Sequence, residues 1–141
     1  MSQLDDLVHN FIQCERLSAL FQLTQSIIRK LLPTIDKLPF WWYMVGIPPK
    51  SLCDHNVNTR RLVNWIFAIS KIAIIHSRFN KVRGEGTTDA CILFKSKVMS
   101  RLNVEFKFSK YHRSIDAFQE KWNINNSLCI VNVEGGIEFN F

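Results

Sequence analysis

The sequence predicts a mainly α fold: about four to five helices packed around a central buried helix (about 58–83), with a C-terminal β-hairpin (about 128–141). Three observations lead there. Apolar residues recur at three- and four-residue steps over most of the chain, the spacing of helices that bury one face. Residues 58–83 are apolar over most of a helical circumference, so that helix must be covered on several sides. Residues 128–141 alternate around Gly135-Gly136 as a hairpin does. At 141 residues the chain has the length of one domain, 1–141, that buries its own core without disulfides or metal. Its 47% apolar content, with 4 Trp and 11 Phe, excludes a disordered tail.

The first helical pattern runs over 4–32 and places Leu17, Leu20, Phe21, Ile27, Ile28 and Leu31 on one face. A break near 13–15 divides it, and Pro33 ends it, because proline lacks the N–H and clashes with the preceding turn. Leu38 to Pro49 follows with Phe40-Trp41-Trp42-Tyr43 and a Gly46-Ile47-Pro48-Pro49 close, read as an extended, buried segment. Its adjacent aromatics are a plug under the central helix or, alternatively, a base-stacking platform.

On the central helix Leu62, Val63, Ile66, Ile69 and Ala73 share a face, widened by Phe67 and Ile74 on one side and Trp65 and Ile72 on the other. Arg61, Asn64, Lys71 and Arg78 form a narrow polar stripe. Its apolar run, interrupted by Asn64, Ser70 and Lys71, falls short of the roughly 18–20 residues a bilayer needs, so no membrane span is expected. Asp54, Asn56 and Asn58 are all competent N-caps. Lys81 and Arg83 suit the negative end of the helix dipole, and Gly84 suits a left-handed C′ position.

Thr87 or Thr88 caps the next helix, which runs to about Lys110 with Asp89 in its first turn. Cys91, Val98, Met99, Leu102 and Phe106 line its inner face; Lys97, Arg101 and Lys107 face outward beside Val104 and Phe108. Ser114 caps a short helix to Trp122 that buries Ile115, Phe118 and Trp122. In the hairpin, a three-residue loop Glu134-Gly135-Gly136 pairs Val133 with Ile137, Val131 with Phe139 and Cys129 with Phe141, gathering these six on one face.

Residues 58–113 hold twelve Lys/Arg against three acids, whereas the flanks hold six against nine. A positive middle on a chain of net charge +6 points to a polyanionic partner, the alternative being two solvated helix faces. Cys14, Cys53, Cys91 and Cys129 include no C-x-x-C, and the N-terminus has no signal-peptide pattern; an intracellular protein with reduced, mostly buried thiols is expected. His9 and Cys14 stand as H-x4-C, half of a four-ligand zinc site whose other two ligands are missing, so no metal or other cofactor is expected. Asp5-Asp6 diverge on a helix, and His76, His112 and Cys53 fall in no nucleophile or acid–base motif, so the chain is not expected to be an enzyme.

The run from Arg61 to Ile74, RLVNWIFAISKIAI, resembles the R-x-x-N-x-x-L-x-x-A-K-x-A-I segment of LINE-type non-LTR retrotransposons, near the C-terminus of their second, reverse transcriptase-containing polyprotein. Downstream, Ser77-Arg78, Asn80-Lys81, Gly84 to Asp89, Arg101, Val104-Glu105-Phe106, Phe118, Trp122 and Leu128-Cys129 follow in matching order. Upstream, residues 1–14 resemble the remnant of that family's zinc knuckle, His9 to Cys14 being its H-x4-C end, and Gly46-Ile47 resembles its short apolar segment. The first knuckle cysteines, the polymerase's Tyr-x-Asp-Asp and the endonuclease domain are absent from the sequence, and a Met inside the knuckle would fit a truncated insertion. The resemblance implies an accessory module that helps the polyprotein hold RNA or single-stranded DNA. Phosphate contacts are expected from Arg61, Lys71, Arg78, Lys81, Arg83, Lys97, Arg101 and Lys107. A structural or protein-interaction fragment, packing on the polymerase part through the apolar 40–45 stretch, is the other expectation.

Overall fold

The computed structural model describes residues 17–35, 40–48, 56–82, 84 and 89–141, less the side chains of Phe40, Lys81 and Val82. Five helices, α1 (Ser18–Leu31), α2 (Phe40–Val45), α3 (Val57–Val82), α4 (Ala90–Tyr111) and α5 (Ile115–Trp122), precede a 3-10 turn, Ile124–Asn126. Strands β1 (Cys129–Val131) and β2 (Ile137–Phe139) form an antiparallel pair. The mainly α fold with its C-terminal hairpin is the one expected. The predicted start of the first helix, and the His9 and Cys14 half-site, lie outside the described residues.

Helix α3 packs against α1, α2, α4 and α5, most extensively against α4. Leu62, Val63, Ile66, Phe67, Ala73 and Ile74 are buried among these helices. Each large side chain so buried contributes roughly 1.5–3 kcal/mol of transfer free energy. Two expectations need correction here. Val57–Asn80 is in fact long and apolar enough, by length and composition alone, to cross a bilayer, its three interrupting polar residues notwithstanding. Its place in the interior follows from packing, not length. Nor does Ile72 widen the covered face: with Ile75 and Phe79 it is exposed along one flank.

Asn56 is the residue that starts α3. Its Oδ1 accepts from the Asn58 N–H at 2.8 Å and its carbonyl from the Arg60 N–H at 3.1 Å, the two bonds that define an N-cap. For α4 the cap is Asp89, whose carboxylate accepts from the Cys91 N–H at 3.0 Å, rather than either threonine. Phe94 replaces Met99 on the buried face of α4, beside Ala90, Val98, Leu102, Phe106 and Ser109. Met99 is 38% exposed, one helical step too far round. Ser114 stands before α5, but its hydroxyl donates back to the Ser109 carbonyl and makes no side-chain cap. Phe118 is buried as expected; Ile115 and Trp122 are half-buried.

The aromatic stretch is helical, not extended. Gly46, at φ +75°, donates its N–H to the Trp42 carbonyl at 2.9 Å and ends α2 in the left-handed conformation that glycine adopts freely. Trp42 and Tyr43 are fully buried beneath α3, their rings edge-on to Phe67 at 6.0 and 5.2 Å. They are the plug; Trp41, at 64% exposure, is not part of it. The hairpin loop has the expected length but sits one residue earlier, at Val133-Glu134-Gly135. Asn132 donates its N–H to the Gly136 carbonyl, and its side chain accepts from the Gly136 N–H at 2.7 Å. Cys129 therefore pairs with Phe139 and Val131 with Ile137. The shift is two residues in register, an even number, so the apolar face is preserved. Val133 leaves that face for solvent.

Candidate nucleic-acid interface

Trp65 on α3 and Trp122 on α5 meet edge to face, ring centres 5.2 Å apart, and three cations stand about this pair. Arg61 lies one turn before Trp65 and, with Asn58, Leu62, Trp65, Lys121 and Trp122, lines a shallow groove. The Arg101 guanidinium lies 5.3 Å from the centre of the Trp122 ring. There it gains cation–π attraction of about 0.5–1 kcal/mol at an exposed site. Its other side binds the Glu105 carboxylate at 2.9 Å, an i,i+4 pair with 54% of the arginine side chain still exposed. Lys97, one turn earlier on α4, lines the same surface as Arg101, Ser100 and Val104. Arg61, Arg101 and Lys121 therefore meet at the Trp pair from three helices, with Lys97 one turn beyond on α4.

The other expected contact residues do not join them. Asn64 and Lys71 are turned to α2: the Trp42 indole N–H donates to the Asn64 carbonyl oxygen, and Lys71 Nζ donates to the Met44 carbonyl at 3.3 Å. The same ammonium lies 5.6 Å from the centre of the Tyr43 ring, and partial burial lowers its pKa. Arg78 is exposed, but roughly 25 Å along the α3 axis from Arg61 at 1.5 Å per residue. Lys107 is exposed on α4, about 120° round from Arg101. The Lys81 side chain and Arg83 lie outside the described residues. A single continuous cationic track along α3 and α4 is therefore not what the fold builds. The polar stripe of α3 drifts round the axis with each heptad step, toward α2.

Lys121 was not singled out in the sequence, nor was the asparagine-rich corner beside it. Asn56, Asn58 and Thr59 at the start of α3 face Gln119, Glu120, Asn123, Asn125 and Asn126 across a cleft of about 570 Å³. Asn123 is its buried floor. Its amide donates to Gln119 Oε1 at 2.7 Å and to Asn126 Oδ1 at 3.3 Å, and its carbonyl oxygen accepts from the Cys129 N–H at 3.1 Å. Asn125 and Asn126 take positive φ, +55° and +52°, which asparagine tolerates better than most residues. The run Asn123-Ile124-Asn125-Asn126 between a helix and a strand was the available signal.

Among the described residues no three His, Cys, Asp or Glu side chains gather as a metal site. His76 is exposed, and His112 lies against Phe108 with ring centres 4.3 Å apart and planes tilted 50°. Burial pushes the Cys129 thiol up to about 11 and raises that of Cys91.

The chain is similar to a protein of Xenopus laevis described as the transposon TX1 uncharacterized 149 kDa protein: 28% identical over 130 residues, 90% of this chain. It spans about 9% of that protein's length. No protein-family model matches the chain, and no solved structure matches it. The similarity supports a transposon-derived origin.

Proposed function

We propose that this chain is a non-catalytic accessory module of a non-LTR retrotransposon reverse transcriptase polyprotein, one that holds RNA or single-stranded DNA inside the cell through phosphate contacts. The observation that carries the proposal is the convergence of Arg61, Arg101 and Lys121 on the Trp65–Trp122 pair, with Lys97 beside Arg101 on α4. Cations from three helices beside aromatic rings are the arrangement that tracks a sugar–phosphate backbone. The similarity to a transposon protein adds to it.

Binding to a single-stranded oligonucleotide, followed by fluorescence anisotropy against salt, tests this. Four phosphate contacts give a log K against log salt slope of about −3 for a single strand, falling to about −1.4 in Arg61→Ala/Lys121→Ala. A flat salt dependence, or no binding at about 50 mM salt, rules the proposal out.

A second reading has its own support. Val104, Phe108 and Tyr111 are all at least 60% exposed and share one face of α4. That surface, more than the Phe40–Val45 stretch with its buried Trp42 and Tyr43, suits a protein contact with the polymerase part of a longer polyprotein.

A further inference from the structure

We infer that the amide-lined cleft between the start of α3 and the α5 corner seats one unpaired nucleobase of the strand whose phosphates lie on Arg61 and Lys121. This rests on the nucleic-acid reading above and names the substrate form it favours.

The two surfaces are continuous. Asn58 lines both the amide cleft and the cationic groove of Arg61, Trp65, Lys121 and Trp122. Their chemistry, however, is divided. Arg61 and Lys121 stand on the groove side, and among the described residues lining the cleft the one charge is the Glu120 carboxylate. A phosphate is repelled there, whereas a neutral ring carrying exocyclic N–H groups is not. The Asn58 side-chain amide, Gln119 Nε2 and Asn126 Nδ2 have no hydrogen-bond partner among the described residues. Free amide donors and acceptors next to an acceptor-only carboxylate match the mixed donor and acceptor edge of a base. In a duplex that edge is already paired, so the cleft selects single strands. Its volume, about 570 Å³, lies within the usual range for small-molecule pockets and admits a nucleobase with its sugar. The floor is fixed before binding, because Asn123 is locked by three hydrogen bonds.

The experiment compares the full chain's affinity for three oligomers of equal total charge: a single strand with bases, an abasic deoxyribose phosphate strand and a duplex. RNA and DNA versions of the base-bearing strand are run side by side. The base-bearing single strand is expected to bind about tenfold tighter than the abasic one, the gain from two net hydrogen bonds. Asn58→Ala should close that gap. Gln119→Glu, which retains the acceptor for Asn123 and loses the free donor, should also close it while circular dichroism reports an intact fold. Equal binding of base-bearing and abasic strands, equal binding of the duplex, or a gap that persists in both variants overturns the base seat. All three leave the phosphate reading standing. Loss of binding to every oligomer overturns both.

Discussion

The hydrogen bond between Tyr43 and Ser70 offers the sharpest test of how α2 is fastened to α3. The two hydroxyl oxygens lie 3.1 Å apart, and both residues are fully buried. Replacing Tyr43 by Phe keeps the ring contacts with Phe21 and Phe67 and strands the Ser70 hydroxyl. A helical serine can turn to the carbonyl one turn back, so the expected cost is about 1 kcal/mol. In Ser70→Ala the phenol has no such refuge, and the cost rises to about 2 kcal/mol. The double variant leaves no orphan and should cost about 1 kcal/mol, well short of the sum. In urea, each kcal/mol moves the midpoint by about 0.5 M at a slope of about 2 kcal/mol per M.

Alkaline pH adds a second readout. Burial pushes the Tyr43 phenol from 10.0 up to about 12, partly offset by the Ser70 hydrogen bond. Below the unfolded value the phenol is neutral in both states and its stabilisation is complete. Above it the unfolded chain ionises first, and stability drains away up to about 12. By about pH 11 the loss is about 1.4 kcal/mol, so Tyr43→Phe should be the less stable protein at neutral pH and no longer so there. Equal penalties at both pH values, or a double variant that costs the sum of the singles, refute the account.

Two further outcomes follow from contacts already described. Asp89→Ala removes the carboxylate that accepts from the Cys91 N–H and should lower stability by about 1 kcal/mol, read as a drop in thermal midpoint by circular dichroism. Lys71→Met should leave oligonucleotide affinity unchanged, because the ammonium is held by the Met44 carbonyl and the Tyr43 ring; a loss matching that of Arg61→Ala would put Lys71 back among the phosphate contacts.

Much of the fold was legible because periodicity reports burial directly. The limits of α3 were placed within one residue, and Val98, Leu102 and Phe106 were read correctly on the inner face of α4. What failed was what periodicity does not encode. Asn64 and Lys71 are polar, so their stripe read as facing water; they face α2, where a Trp indole and a carbonyl need partners. A polar residue opposite a donor and one opposite solvent look alike in sequence. Gly46 read as a break after an extended segment, although a left-handed glycine closes a helix equally well. The hairpin slid by two because alternation is blind to even shifts, and the Asn132 side chain decides the register. Of the cations at the candidate site, Arg61, Lys97 and Arg101 were among the expected contacts and Lys121 was not. It belongs to a short helix that reaches α3 through tertiary packing of Trp122 on Trp65, a contact between residues far apart in the chain.

Asn123 carries a consequence for how the molecule comes apart. One carboxamide ties the last turn of α5, the 3-10 corner and the first residue of β1 into a common knot. The terminal ribbon is thus no loose appendage. Peeling it from the body unties the recess beside α3, and shaping that recess seals the ribbon down, so the two rise and fall as one unit.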